Sequence, residues 1–125
     1  MVIKNKDNKL PKVSFVIPAR NEEDTISMIY TRINSVMSKI KTNYEIIFID
    51  DGSTDTTYKE MVNLNTKYPK KIVIVKHRGN WGKSIALQSG FKLVRGEITI
   101  TMDADLQDTP EEIPNFIEKI EEGYD

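Results

Sequence analysis

The stretch "ITITMDADLQDTPEEI", Ile98 to Ile113, decides the fold. Four alternating β-branched residues, Ile98 to Thr101, end in three aspartates, Asp103, Asp105 and Asp108, within six positions. A strand fit for a core thus carries a carboxylate cluster at its tip, which like-charge repulsion disfavours unless water or a cation sits among the acids. A helix signal follows at once. Thr109 can cap it, Pro110 suits its first position and Glu112 completes a capping box. Ile113, Phe116, Ile117 and Ile120 form its buried stripe, and Gly123 ends it.

The same beat of apolar strand, polar loop and helix runs upstream. "VSFVI" (Val13 to Ile17) reads as a strand stopped by Pro18, with a helix from about Glu22 on which Ile26, Ile29, Tyr30, Ile33, Met37 and Ile40 recur at helical spacing. "YEIIFI" (Tyr44 to Ile49) precedes a helix from about Asp55 to Tyr68. "KIVIV" (Lys71 to Val75) precedes one from about Gly82 to Arg95. Continuously apolar strands separated by single helices predict a Rossmann-like α/β fold, an open parallel sheet with helices on both faces. Right-handed crossovers then bring all strand carboxyl ends to one edge. Each conspicuous polar loop falls there: "PARNEE", "DDGST", "HRGNWGK" and "DADLQD". Open α/β sheets bind ligands at that edge, so one site built from four loops is expected.

Composition narrows the function. The 125 residues suffice for one domain, 38% hydrophobic and 30% charged, with residues 1–12 a flexible, lysine-rich lead-in. A net charge of −1 argues against a nucleic-acid partner driven by a basic field. The absence of cysteine suits a reducing cytoplasm and rules out a thiolate metal site. No apolar run is long enough to span a bilayer.

Alternation places Asp103, Asp105 and Gln107 on one side of an extended segment. Oxygen-only donors select hard cations, Mg²⁺ or Mn²⁺, which could bridge the acidic loop to an anionic diphosphate. Asp50 and Asp51 end a second apolar strand, where either could accept a hydrogen bond from a ribose or a base edge. Gly52 permits the sharp turn, while Ser53 and Thr54 are expected to cap the next helix. Pro18, Ala19, Asn21 and Glu22 could shape a pocket for a planar base and sugar. Arg78 and Lys83 are cationic partners for phosphates or for the aspartates. His77, the lone histidine, and Trp81 are read as structural. Neither G-x-G-x-x-G nor G-x-x-x-x-G-K-[ST] is present, which disfavours dinucleotide oxidoreductases and P-loop NTPases.

With these loops placed, the sequence from about Val13 to Asp125 resembles the family 2 glycosyltransferases, more narrowly the dolichyl- or polyprenyl-phosphate sugar transferases. "VSFVIPARNEE", "EIIFIDDGSTD", "NWGKSIALQSGF" and "RGEITITMDADLQDTPEEIPNFIEKIEEGYD" carry the resemblance, in order and at familiar spacing. It implies a GT-A type nucleotide-diphospho-sugar domain with a UDP- or GDP-linked donor and a Mg²⁺ or Mn²⁺ ion. The implied reaction is inverting transfer to a lipid-phosphate or cell-envelope glycan acceptor. Pro18, Ala19, Asn21, Glu22, Asp50, Asp51, Lys83, Asp103 and Ala104 are the implied donor-binding residues, and Asp103, Asp105 and Gln107 the metal set. "PARNE" has arginine where the family often has an aromatic residue. The family continues past "EEGYD" into an acceptor half, so residues 13–125 are expected to be a truncated donor-binding part, its catalytic residues lying elsewhere. Its parent would sit at the cytoplasmic face of the membrane, and the sheet would end in an exposed strand edge inviting dimerisation. Alternatives are a non-catalytic nucleotide-sugar-binding module, a response-regulator receiver and a haloacid-dehalogenase-type phosphatase. In the last, a Thr or Val typically stands where Gln107 is.

Overall fold

The computed structural model describes residues 1–4, 9–105 and 109–123. Its sheet runs β1 (Val2–Ile3), β4 (Ile72–Lys76), β3 (Tyr44–Asp50), β2 (Val13–Ala19) and β5 (Ile98–Thr101) from edge to edge. The central pairs are parallel, Val13 opposite both Tyr44 and Ile98, and only β1 is antiparallel, with Val2 opposite Val75. The segment expected as a flexible lead-in therefore supplies a short edge strand.

The central strands β2, β3 and β4 each feed two cores because successive side chains point to opposite faces. Phe15, Ile17, Ile46, Phe48 and Ile74 meet Ile26, Ile29, Ile33 and Met37 of α1 (Ile26–Lys39), Met61 and Leu64 of α2 (Thr57–Lys67), and Ile113 and Ile117 near the chain's last helix. Val16, Ile47, Ile49, Val73 and Val75 pack against Ala86 of α3 (Lys83–Phe91) on the other face. Burying one such side chain stabilises the fold by about 1.5–3 kcal/mol, so strands buried on both faces outweigh local propensity.

The winding direction reverses once. The chain steps from β2 to β3 to β4, and α3 then crosses the second face to bring β5 back beside β2. The crevice between the carboxyl ends of β2 and β5 is the topological switch point. Pro18 does not stop β2, which continues through it to Ala19 opposite Asp50. The bond from Met102 N to Val16 O is the last toward β5, and Ala19 O accepts from Asp51 N on the other side. By alternation Pro18 turns its missing N–H toward β5, where the two strands part. Proline thus opens the crevice without breaking the β3 ladder.

Helix boundaries depart from expectation for identifiable reasons. α1 starts at Ile26 rather than Glu22, because Asn21 has a left-handed φ of 55° and Glu22 O accepts from Thr25 N in a turn. α2 starts at Thr57 after the N-cap residue Thr56, which makes no side-chain cap bond; the first helical N–H, Thr57 N, donates to Asp55 Oδ1 at 2.8 Å in place of the capping expected of Ser53 and Thr54. α3 ends at Phe91 instead of Arg95. Arg95 N is captured by the carboxylate of buried Glu45 at 3.0 Å and Gly96 N by Ser14 Oγ at 2.8 Å. The capping box is absent: Pro110–Glu112 form a 3₁₀ turn before α4 (Ile113–Glu121), Thr109 makes no side-chain cap, and the Glu112 carboxylate accepts from Asn115. Of the expected α4 stripe, Ile113 and Ile117 are buried, while Phe116 and Ile120 are exposed. No helix among the described residues is long and apolar enough to cross a membrane.

Candidate functional site

The loops after β2 and β3 are bolted together by side chain to backbone bonds. Asn21 N donates to Ser53 Oγ at 2.9 Å, and Thr54 N donates to Asn21 Oδ1 at 2.8 Å. Glu22 N donates to Thr57 Oγ1 at 2.8 Å, and Thr56 N to Glu23 Oε2 at 2.9 Å. Asn21 and Glu22 thus act at least as scaffold, presenting Pro18 and Ala19 at a fixed height beside the crevice.

The twin aspartates have divided roles. Asp51 Oδ1 accepts from Trp81 N at 2.9 Å and lies 3.3 Å from His77 Nδ1, while Oδ2 accepts from Gly82 N at 3.0 Å. With the Asn80 amide oriented to suit its neighbours, Nδ2 donates to Asp51 Oδ2 at 3.0 Å and Oδ1 accepts from Arg20 Nε at 3.3 Å. Asp51 is the clamp of the "HRGNWGK" loop and of the entry into α3, its lone pairs taken by protein donors. His77 completes the clamp: Nε2 lies 2.9 Å from Ser89 Oγ and the ring stacks on Trp81 at 4.5 Å, although Trp81 stays 52% exposed. Gly52, at φ 73°, lies so close to this loop that a Cβ there would sit 2.4 Å from the Gly79 carbonyl carbon.

Asp50 differs. It is 1% exposed, its Oδ1 accepts from Ser53 N at 3.0 Å, and its Oδ2 is buried with no hydrogen-bond partner among the described residues. A buried carboxylate oxygen lacking a donor costs free energy that a ligand N–H or O–H would recover.

On the far side of the crevice, Ala104 is buried and its carbonyl accepts from Thr25 Oγ1 at 2.6 Å, tying the acidic loop to the start of α1. Asp103 is half-buried and paired with Lys83, the first residue of α3, beside a cavity of about 180 Å³ that both line with Leu87, Thr101 and Met102. Asp105 is exposed, whereas Gln107 lies outside the described residues. Among the described residues no three carboxylates, histidines or cysteines converge on a metal-sized space. Asp103 and Asp105 are nonetheless an oxygen-only pair two residues apart, with the Lys83 ammonium paired to Asp103. Donor chemistry of that kind fits Mg²⁺ or Mn²⁺.

The sequence reading did not anticipate Thr25, Thr57, Ser89 or the buried Ser14–Glu45 pair. Single hydroxyls carry no periodic signal. Glu45 had one available clue, a charge inside the apolar run "YEIIFI".

Comparison with known proteins agrees with this fold. The chain is 40% identical over 114 residues to an undecaprenyl-phosphate 4-deoxy-4-formamido-L-arabinose transferase of Klebsiella pneumoniae, covering 91% of this chain and 35% of the relative. It therefore spans about a third of that relative's length. Its fold matches a mannosyltransferase from Pyrobaculum calidifontis in complex with GDP-Man and Mn²⁺ (TM-score 0.73, 24% identity, 89% of this chain and 32% of the other). It also matches a glucosyl-3-phosphoglycerate synthase from Mycobacterium tuberculosis in complex with Mn²⁺, UDP and glucosyl-3-phosphoglycerate (TM-score 0.64, 25% identity, 88% and 39%). Residues 14–125 match the glycosyl transferase family 2 profile. The chain, a GT-A type α/β domain, belongs to glycosyl transferase family 2.

Proposed function

We propose that this chain is the donor-binding part of a divalent-metal-dependent, inverting glycosyltransferase that moves a sugar from a UDP- or GDP-linked donor to a polyprenyl phosphate. The observation that carries the reading is Asp50 Oδ2, buried beside the switch-point crevice with no hydrogen-bond partner among the described residues, while the acidic pair Asp103 and Asp105 follows β5 on the other side of β2. A nucleoside spanning that crevice would offer Asp50 an N–H or O–H donor. Its diphosphate would lie toward Asp103, with the Ala104 backbone against the sugar side. Pro18, Ala19, Asn21 and Glu22 would form the wall of the base and ribose pocket.

Asp103 and Asp105 would hold Mg²⁺ or Mn²⁺, with Gln107 a third oxygen donor; a bound divalent ion neutralises charge developing on a diphosphate leaving group. Lys83 would exchange its contact with Asp103 for the diphosphate, keeping the mouth of α3 cationic where anionic substrate enters. A phosphate monoester acceptor, with its second pKa about 6, is already largely ionised at neutral pH and attacks without a strong base. A single in-line displacement inverts the anomeric centre. The names of the undecaprenyl-phosphate relatives support the lipid-phosphate acceptor, and the GDP-Man, UDP and Mn²⁺ complexes of the structural neighbours support the donor class and metal.

Isothermal calorimetry with UDP and GDP, in Mn²⁺ and then in chelator, tests this. Without the ion, Asp103 and Asp105 face a diphosphate of like sign, so affinity falls at least about tenfold, the equivalent of 1.4 kcal/mol. Equal affinity in both media overturns the metal-bridged site. Absence of binding by both nucleotides overturns the donor assignment.

A further inference from the structure

Away from the switch-point crevice, a groove runs between α3 and the β1–β4 edge of the sheet. It consists of two adjoining cavities of about 280 and 340 Å³ that share Lys92 and Leu93 as a common wall. The floor is apolar, with Val73, Val75 and Leu93, and the rim is cationic, with Lys4, Arg78 and Lys92. Among the described residues Glu45 is the only carboxylate lining either cavity, and it is fully buried against Arg95.

Two further features make this a built surface. From Met61 to Gly96 the chain has eight Lys or Arg and no Asp or Glu, whereas the rest holds ten basic and nineteen acidic residues. The overall charge of −1 hides this polarity. In addition, α3 is apolar on both sides. Ala86 and Gly90 are buried against the sheet, yet Ile85 is 45% exposed, one turn before Ser89 and in line with Lys92. Trp81 is 52% exposed at one end of the groove, and Met1 and Val2 are 72% and 44% exposed along its opposite bank. Exposed Trp and Ile interleaved with Lys and Arg, without acids, is the composition of a surface that lies on anionic lipid.

We propose that the α3–β4 groove docks this protein onto an anionic phospholipid bilayer, with Lys4, Arg78 and Lys92 at the headgroups and Trp81 and Ile85 at the acyl boundary. The proposal is independent of the nucleotide reading, which rests on Asp50, Asp103 and Asp105 and uses none of the groove-lining residues. It would place the donor site beside the phase that holds a polyprenyl acceptor.

Trp81 is the only tryptophan, so its emission reports this face alone. The chain is titrated with phosphatidylglycerol vesicles and with phosphatidylcholine vesicles at physiological salt, followed by flotation. The expected result is a blue-shifted Trp81 emission and co-flotation with phosphatidylglycerol only. The double variant Lys4→Glu, Lys92→Glu should bind at least about tenfold more weakly while keeping the wild-type melting temperature and nucleotide affinity. Failure to float with phosphatidylglycerol, equal binding to phosphatidylcholine, or full binding by the refolded double variant overturns the proposal. If the free chain ignores lipid while single-stranded nucleic acid shifts the emission, the basic face serves another anion and the lipid assignment falls.

Discussion

Replacing each of the twin aspartates by asparagine should give opposite outcomes. Asp51 receives Trp81 N, Gly82 N and the Asn80 amide, with His77 Nδ1 at 3.3 Å. In Asp51→Asn only one side-chain oxygen remains, so at least one backbone N–H faces an NH₂ group and the remaining bonds lose their ionic character. An unsatisfied buried donor costs about 1–3 kcal/mol and a charge-assisted bond exceeds a neutral one by about 1 kcal/mol, so the loss should be about 3 kcal/mol. Against a total stability of about 5–15 kcal/mol, this should lower the melting temperature by about 10 °C. Asp50→Asn keeps an oxygen for Ser53 N and removes a buried carboxylate whose Oδ2 has no donor among the described residues. Stability should be unchanged or raised by up to about 1 kcal/mol, while nucleoside diphosphate affinity falls because an NH₂ now meets the ligand's donor. Circular dichroism melts and calorimetry on the two variants decide it. A stable Asp51→Asn beside an unfolding Asp50→Asn would refute the division of roles.

Gly52→Ala combines a φ of 73° with a Cβ 2.4 Å from the Gly79 carbonyl carbon, so it should cost more than about 2 kcal/mol in urea melts. Asp55→Ala removes the acceptor of the first helical N–H of α2 and should cost about 1 kcal/mol at neutral pH. Burial works against Asp55 ionisation, but the Thr57 hydroxyl and N–H outweigh it and hold the carboxyl below the usual range. A group so depressed stabilises above its unfolded pKa near 3.9 and loses its effect as pH falls through the lower folded value. The gap between wild type and Asp55→Ala in pH-dependent melts should therefore close only in strong acid. Thr25→Val removes the hydroxyl that holds the Ala104 carbonyl; Mn²⁺-dependent nucleotide affinity should fall several-fold with a loss of no more than about 1.5 kcal/mol in stability.

What the sequence made legible followed from periodicity. Uninterrupted apolar runs such as "YEIIFI" announced strands buried on both faces, and the helical spacing of Ile26, Ile29, Tyr30, Ile33 and Met37 announced α1. Right-handed crossovers then placed four polar loops on one edge without any knowledge of pairing. Three things stayed hidden because they depend on contacts distant in sequence. Which of Asp50 and Asp51 was saturated could not be read from "DD", since the deciding donors come from Trp81 and Gly82, about 30 residues away. Ser53 and Thr54 matched a capping pattern, but Asn21, 32 and 33 residues upstream, competed for them and left the first helical N–H to Asp55. Val2–Ile3 is too short to show alternation and is a strand only because β4 offers an open edge.

Glu45 shows how the edge remote from the crevice governs it. The crossover through α3 passes over β3 and β2, so nothing local fixes the height at which β5 enters the sheet. Ser14 Oγ donates to Glu45 Oε2 at 2.6 Å and accepts from Gly96 N, while Glu45 also takes Arg95 N and Arg95 Nε at 3.0 and 3.1 Å. Those bonds seat the residues immediately before β5 against β2 and β3 together, and Ile98 N then donates to Lys12 O to begin the parallel register. A slip of one residue would shift Asp103 by about 3.3 Å along the strand and exchange the faces of Ile98 and Thr99. A fully buried carboxylate tolerated at the amino edge, with the Ser14 hydroxyl, the Arg95 N–H and the Arg95 guanidinium to offset its desolvation, thus sets where the acidic loop emerges at the carboxyl edge.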